Sequence, residues 1–364
     1  MTINEAIVYF MAAFLVLGAL DRIFGGRLGL GKQFEEGILA MGSLALAMVG
    51  ILCLAPVLAR WLRPVLGPVF RLFGADPAMF AGSLLACDMG GAALAAQLAE
   101  TPEAGLFSGI LVGSMLGPTI VFTIPVSLGI LREKDVPYLA RGVLAGVVTI
   151  PLGAFVGGLI AGFPVGFVAR NLVPIVLIAL LIALGLWRFE AGMIRGFRIF
   201  GRLVVAVVTV GLAAAALEAL TGLALIPGMA PLSEGVEVVG DIAVLLAGAF
   251  PLVYALTRLL RRPLLALGRL LGVNDTAAAG LVASLANSIP MFGMFPEMDG
   301  RGKLLNVAFA VSASFVFGDH LGFTAGFAPE MLTAMIAGKL VGGVTAVAVA
   351  MAFARRERPK PQKQ

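Results

Sequence analysis

The chain has little charge and few of the side chains that enzymes use to bind metals. Only 13% of its 364 residues are charged, 60% are hydrophobic, and it has two cysteines and one histidine. A soluble globular domain needs far more charge on its surface, so this class is excluded. One histidine and the separated Cys53 and Cys87 cannot form a usual zinc site or a disulfide framework. We therefore expect neither a metal nor a cofactor.

Common enzyme motifs are also missing from the sequence. It contains no H-E-x-x-H, no G-x-S-x-G and no phosphate-binding loop. Two acids that face each other, such as Asp88 and Asp319, could in principle perform proteolysis in a membrane, but no base or nucleophile pattern surrounds them. The net charge of +5 is concentrated in loops and the C-terminal tail, which does not indicate nucleic acid. We expect a protein that is not an enzyme and that contacts the lipid bilayer; its oligomeric state stays open.

Apolar runs long enough to cross a bilayer recur along the whole chain, and the mean hydropathy is +1.03. The predicted fold is all-α, a polytopic transmembrane helical bundle of about eleven segments in one domain, residues 1–354, followed by a basic cytoplasmic tail, 355–364. The eleven segments are approximately 5–20, 37–59, 77–99, 105–131, 138–163, 171–187, 199–220, 236–257, 276–296, 303–327 and 331–354.

Two stretches of the chain resemble each other at a shift of 199 residues. An apolar segment ends in Arg-Pro in both, an aspartate (Asp76 or Asp275) then leads a predicted helix as a candidate cap, and Asp88 falls on Asn287. Such duplication is typical of secondary transporters, whose binding site lies between the repeats. We therefore predict related halves at about 33–163 and 237–354, joined by linker helices at about 164–236.

The distribution of basic residues tests the topology of this arrangement. Four basic loops all lie in the cytoplasm if eleven spans alternate from an inside N-terminus. The same count places the basic tail outside, which is a violation. One segment of the second half should therefore be broken or re-entrant, and both 276–296 and 303–327 are candidates.

Four predicted helix breaks coincide with polar side chains. Glycine or proline follows or flanks Asp88, Ser114, Asn287 and the pair Asp319-His320. Backbone groups freed at membrane depth must be buried in protein or line a wet cavity. Three of these residues also have a purely structural interpretation: Asp88 could cap a helix, His320 could only hydrogen-bond Asp319, and Asn287 could bond nearby backbone.

Two other charged residues lie in apolar surroundings. Lys339 could extend its ammonium to the membrane interface if it lies near a span end. Asp241 has no arginine or lysine within four residues, so the sequence offers it no partner.

The same motifs resemble those of the EutH family of bacterial ethanolamine permeases over nearly the whole chain. The resemblance implies uptake of ethanolamine across the bacterial cytoplasmic membrane. The matching stretches are Gln33-Phe34-Glu35-Glu36-Gly37, Met79-Phe80-Ala81-Gly82 through Ala86-Cys87-Asp88-Met89-Gly90-Gly91, Gly113-Ser114-Met115 through Gly117-Pro118-Thr119-Ile120-Val121-Phe122, Leu285-Ala286-Asn287 through Ile289-Pro290-Met291-Phe292-Gly293-Met294, Met298-Asp299 with Arg301-Gly302-Lys303, Gly318-Asp319-His320-Leu321-Gly322-Phe323, and Gly338-Lys339-Leu340 with Gly342-Gly343-Val344-Thr345-Ala346.

Ethanolamine is mostly a cation at neutral pH and carries one ammonium and one hydroxyl. We expect Asp88 and Asp319 to pair with the ammonium, because ionised acids accept its hydrogen bonds. The other predicted lining residues of the same cavity are Asn287, Ser114, Asn306 and His320. The alternatives are a transporter or channel for another small amine or cation, and a membrane-embedded enzyme that acts on a lipid headgroup.

Overall fold

The computed structural model describes residues 2–356, except for the side chains of 260–262, 264, 265, 267, 269 and 354–356. These residues form helices and connections without a strand. The helices are α1 (Ile3–Ile23), α2 (Leu30–Leu72), α3 (Met79–Leu84), α4 (Gly91–Leu98), α5 (Pro102–Leu106), α6 (Leu116–Pro118), α7 (Ile124–Ile130), α8 (Val136–Val147), α9 (Ile150–Ile160), α10 (Val165–Arg188), α11 (Glu190–Thr221), α12 (Leu232–Leu270), α13 (Asp275–Ala286), α14 (Ser288–Gly293), α15 (Gly300–Ala313), α16 (Asp319–Phe327) and α17 (Leu332–Arg356), with 3₁₀ turns at Cys87–Met89, Glu133–Asp135, Phe295–Glu297 and Pro329–Met331 and π-helical turns at Phe107–Val112 and Thr119–Thr123. Positions 357–364 of the predicted basic tail lie outside the described residues.

Seven of the described helical stretches are long and apolar enough to cross a membrane. The pair Pro102–Val112 and Leu116–Ile130, bent by 44°, gives an eighth if it is one span. The predicted polytopic helical bundle is therefore confirmed. The predicted segments 77–99, 276–296 and 303–327 are instead built from shorter helices that meet at breaks. Both candidates for an irregular segment in the second half are thus broken, and two segments of the first half are broken as well.

Short side chains fix the ends of several helices. Asp76 lies before α3, whose N-cap is Ala78, and accepts from the amides of Ala78 at 2.8 Å and Glu100 at 2.9 Å, so it fixes the turn before α3 but is not its cap. The prediction for Asp275 is wrong, because Asn274 is the cap of α13 and accepts from the amide of Ala277 at 2.9 Å. The polar residue one position earlier therefore sets where α13 begins.

The broken helices contact each other at their breaks. In the first half, the amide of Cys87 donates to the carbonyl of Gly113 at 2.6 Å, which joins the α3–α4 break to the break before α6. In the second half, the amide of Phe315 donates to the carbonyl of Ser284 at 3.1 Å and joins the α15–α16 break to the end of α13. Backbone groups released by the breaks are thus satisfied within the protein, as the bilayer requires.

We call these two contacts between broken helices the crossings of the first and second halves. Long helices pack around them. α2 packs against α12, while α17 packs against α9 and α15. The chain order of a long proline-containing helix, two broken segments and a further long helical stretch occurs twice, first from α2 to α9 and then from α12 to α17. This order agrees with the division into two halves, which remains a prediction.

A buried ion pair links α15 to the turn before α8, and so joins the two predicted halves of the chain. Lys303 of α15 donates to Asp135 at 2.6 Å, and their side chains are 10% and 2% exposed. We expect Lys303→Met to lower stability by about 3–5 kcal/mol, because it leaves a carboxylate buried without its partner. The midpoint of thermal unfolding of purified protein measures this loss.

The neighbouring Lys134 is exposed, so Lys134→Met is the matched control and should unfold near the wild-type temperature. Lys303→Met with Asp135→Leu should recover much of the loss, because both charges are then gone. Equal midpoints for Lys303→Met and Lys134→Met would contradict the assignment.

Candidate functional site

A cavity of about 190 Å³ lies where α2 meets both crossings of the broken helices. Its polar lining consists of Ser43, Asp88, Asp319 and His320. Apolar side chains form the remainder: Ala40, Leu44, Ala47, Ala86, Met89, Pro118, Phe122 and Phe315. The two acids that the sequence analysis selected are therefore brought to one small, mostly apolar space, although 231 positions separate them in the chain.

Asp88 occupies the 3₁₀ turn between α3 and α4. Gly90 follows with φ of 84°, a left-handed conformation that glycine adopts easily and that turns the chain into α4. Gly90 is also the N-cap of α4, which argues against the interpretation that Asp88 serves to cap this helix. The Asp88 side chain is 15% exposed, and its Oδ1 lies 3.7 Å from Nε2 of His320. Asp88 therefore faces the cavity and the histidine.

His320 lies at the start of α16, directly after Asp319, and is 2% exposed. Its Nδ1 lies 3.0 Å from Nζ of Lys339, which also donates to the backbone carbonyl of Ser114. The alternative in which His320 only hydrogen-bonds Asp319 does not describe its contacts, which are with Lys339 and Asp88. Lys339 is 1% exposed, so it does not extend to the membrane interface as the sequence alone allowed.

Three of the six predicted site residues do not line the cavity. Ser114 contacts the residues beside the cavity only through its backbone carbonyl, which accepts a hydrogen bond from Lys339. Its hydroxyl donates to the carbonyl of Leu111 at 3.2 Å. Asn287 caps α14 by accepting from the amide of Ile289 at 2.8 Å. Asn306 is fully buried, and its amide donates at 2.9 Å to the carbonyls of Ala277 and Gly302. A direct role of these three side chains in binding remains a prediction.

Two aromatic rings stand beside the acids. Phe122 and Phe315 lie edge to face, with ring centroids 5.5 Å apart at 84°, and the Phe315 ring lies 5.3 Å from that of His320. Phe315 has φ of 63°, the one positive value among the described non-glycine residues. Such strain persists where the surrounding packing holds it, often at functional sites. Ring faces also attract cations, so this wall suits a positively charged ligand.

The same region raises the question of a metal ion. Cys87, Asp88 and His320 offer ligand atoms that all lie within 4.8 Å of one another. The ammonium of Lys339 already contacts His320, and its charge would repel a divalent cation held by the same ring. The donor set therefore fits a metal poorly, and we assign none.

Discontinuous helices that meet around a cavity with a few charged side chains are typical of secondary transporters. In a polytopic helical bundle, this fold and site define a membrane transport protein. The chain belongs to the EutH family, described as ethanolamine utilisation protein EutH, whose family model matches residues 3–353.

Similar proteins come from several bacteria. A Listeria monocytogenes protein named "Probable ethanolamine permease EutH" is 62% identical over 99% of this chain and 96% of the relative. A Salmonella typhimurium protein of the same name is 51% identical over 96% of this chain and 95% of the relative. The "Uncharacterized protein YxeR" of Bacillus subtilis is 51% identical over 100% of this chain and 98% of the relative. No solved structure matches significantly.

Proposed function

We propose that this protein takes up ethanolamine, as the protonated cation, across the bacterial cytoplasmic membrane. The observation that carries the proposal is that Asp88 and Asp319 line one small apolar cavity between broken helices. A carboxylate is the natural partner of an ammonium group. The names of the relatives from Listeria and Salmonella, permeases for ethanolamine, support the same substrate.

The charges around the cavity favour a monovalent cation. With Asp88 and Asp319 ionised, Lys339 protonated and His320 neutral, the cluster carries one negative charge in excess. One ethanolammonium ion balances that charge, and a buried charge is stable only when it is paired. The ring faces of Phe122 and Phe315 can contact the same cation.

The cavity also matches the substrate in size and polarity. The cavity volume of about 190 Å³ is several times the space that one water molecule occupies, about 30 Å³. Ethanolamine has four non-hydrogen atoms, so it fits with space for a water molecule. The hydroxyl of Ser43 donates to the carbonyl of Ala40 at 2.8 Å, and its oxygen remains able to accept from the substrate hydroxyl.

Purified protein in sealed vesicles tests the function. We expect labelled ethanolamine to cross into the vesicles chemically unchanged, and to cross less when unlabelled ethanolamine competes. An enzyme that acts on a lipid headgroup would instead alter its substrate, in detergent as well as in vesicles. Faster transport of an unrelated small amine would favour the alternative of another cation substrate.

The need for the protein should depend on pH. Neutral ethanolamine crosses a bilayer unaided, and acid removes this form. We expect cells with the protein to take up much more ethanolamine than cells without it at acid pH, and this advantage to disappear at alkaline pH. Uptake of labelled ethanolamine by the two strains measures the effect, and an equal advantage at both pH values would contradict transport of the cation.

A further inference from the structure

Lys339 is buried beside the cavity but does not line it. It projects from α17 to the start of α16 and the break before α6, where it contacts His320 and the Ser114 carbonyl. Burial of an ammonium costs several kcal/mol unless partners compensate, and an apolar side chain of similar volume often packs at least as well. Direct contact with a ligand does not explain why the Lys339 ammonium is buried here, since Lys339 is not among the residues that line the cavity.

The hydrogen-bonding roles in this cluster follow from donor chemistry. An ammonium can only donate, so Nδ1 of His320 accepts from Lys339. The ring then carries its proton on Nε2, the nitrogen that faces Oδ1 of Asp88 at 3.7 Å. Lys339, His320 and Asp88 thus form one directed chain from a buried cation to a cavity acid.

We infer that Lys339, His320 and Asp88 form a proton relay that discharges the cavity carboxylate when the substrate leaves. Lys339 Nζ gives a proton to Nδ1 of His320, while Nε2 of His320 gives its proton to Oδ1 of Asp88. Lys339 changes from ammonium to amine and Asp88 from carboxylate to carboxylic acid. His320 begins and ends neutral, with its proton moved from Nε2 to Nδ1, and the same steps in reverse restore the starting state.

The substrate controls the direction of this transfer. An ethanolammonium ion beside Asp88 stabilises the carboxylate, which keeps the proton on Lys339. After the substrate leaves, two opposite charges remain buried on either side of the imidazole, and the transfer removes both. The net charge stays constant, and Asp319 and Cys87, the other titratable groups near the chain, keep their protonation. The empty transporter can then change conformation with one buried charge in this cluster, the Asp319 carboxylate, instead of three.

The distance between His320 and Asp88 means that the relay can operate only after the protein moves. A separation of 3.7 Å is longer than a hydrogen bond, so the second transfer requires an approach of about 0.5 Å. Asp88 belongs to the first broken segment and His320 to the beginning of α16. A shift of these segments relative to each other would open or close the relay.

Two transport measurements on one variant separate the relay from binding. The inference rests on the proposed ethanolamine transport, so wild-type vesicles come first. Exchange of labelled for unlabelled ethanolamine requires only the loaded transporter, whereas net uptake also requires the empty transporter to return. In Lys339→Gln, the amide can still donate to the Ser114 carbonyl and to His320 but has no proton to transfer. We expect net uptake to fall by about tenfold or more, and by a much larger factor than exchange, which can change only as far as the lost positive charge alters binding.

Lys339→Arg provides a second variant, because its guanidinium donates hydrogen bonds but does not lose its proton. It should show the same selective loss of net uptake. Equal effects on exchange and net uptake, or no effect on either, would overturn the relay while wild-type transport upholds the function. Failure of the wild type to transport ethanolamine would overturn the function itself.

A measurement on the wild-type protein keeps the inference testable even if both variants fail to insert. Infrared difference spectra should show that ethanolamine removes the carbonyl band of a protonated carboxyl group, because Asp88 ionises as the substrate binds. The substrate-free spectrum of Asp88→Asn should already lack this band, which assigns it to Asp88 whether or not the variant binds ethanolamine. A spectrum in which the wild-type band is unaffected by ethanolamine would refute the relay.

Discussion

We expect Asp88→Asn to abolish ethanolamine uptake while the protein still inserts into the membrane. The amide keeps the size of the side chain but cannot pair as an anion with an ammonium. Loss of one partner of a buried, hydrogen-bonded charge pair costs about 2–5 kcal/mol, which is roughly 30-fold to several thousand-fold in affinity. Initial rates of labelled ethanolamine uptake, divided by the amount of protein in the membrane, measure the effect.

Asp241→Asn is the matched control for this result. Asp241 also interrupts an apolar stretch, but it is exposed on α12 and does not line the cavity. Its amide variant should transport near the wild-type rate. Transport by Asp88→Asn at the rate of Asp241→Asn would remove Asp88 from the binding site and leave Asp319 as the cavity acid to test.

The acids of the site could be predicted from the sequence because each is a local anomaly. Asp88 and the Asp319-His320 pair are charged or polar residues beside glycines in apolar runs, and the cost of charge in lipid marks them for a cavity. Lys339 is an equally local anomaly, but the sequence does not show where its side chain points. Its partner Ser114 is 225 residues away, and this contact depends on how α17 packs.

Asn287 and Asn306 are residues that the sequence selected for the cavity but whose side chains do not line it. Both are polar residues in apolar segments, so composition alone does not distinguish them from residues that line the cavity. The structure uses Asn287 to cap α14 and Asn306 to bond the carbonyls of Ala277 and Gly302. The nitrogen of a neutral amide can donate to nearby backbone, as in Asn306, although the Oδ1 of Asn306 has no hydrogen-bond partner among the described residues. A carboxylate in the same place needs a cation or several donors.

The breaks themselves were predictable, but their contacts were not. Glycine and proline indicated where helices would stop, yet an apolar window has the same hydropathy whether its helix is continuous or broken. The segment count therefore exceeded the number of continuous spans. The amide of Phe317, for example, donates to the carbonyl of Leu285 at 2.9 Å, a partner that only the folded chain provides.

Gly318→Ala should reduce transport about as severely as loss of the acid. Gly318 lies directly before Asp319 at the crossing of the second half, and a Cβ there would stand 2.0 Å from the carbonyl oxygen of Ala286. Backbone on one side of the crossing must move, and Asp319 and His320 move with it. A misplacement of about 1 Å can cost about 100-fold in a preorganised site. Uptake rate per inserted protein measures the loss.

The matched control is Gly293→Ala, because a Cβ on Gly293 would meet no described atom within 4 Å. It should leave uptake and thermal stability near wild type. Gly117→Ala tests the crossing of the first half in the same way, since its Cβ would lie 1.9 Å from the carbonyl oxygen of Leu85. If Gly318→Ala and Gly117→Ala both transport like Gly293→Ala, the close crossing of the broken helices is not what positions the cavity acids.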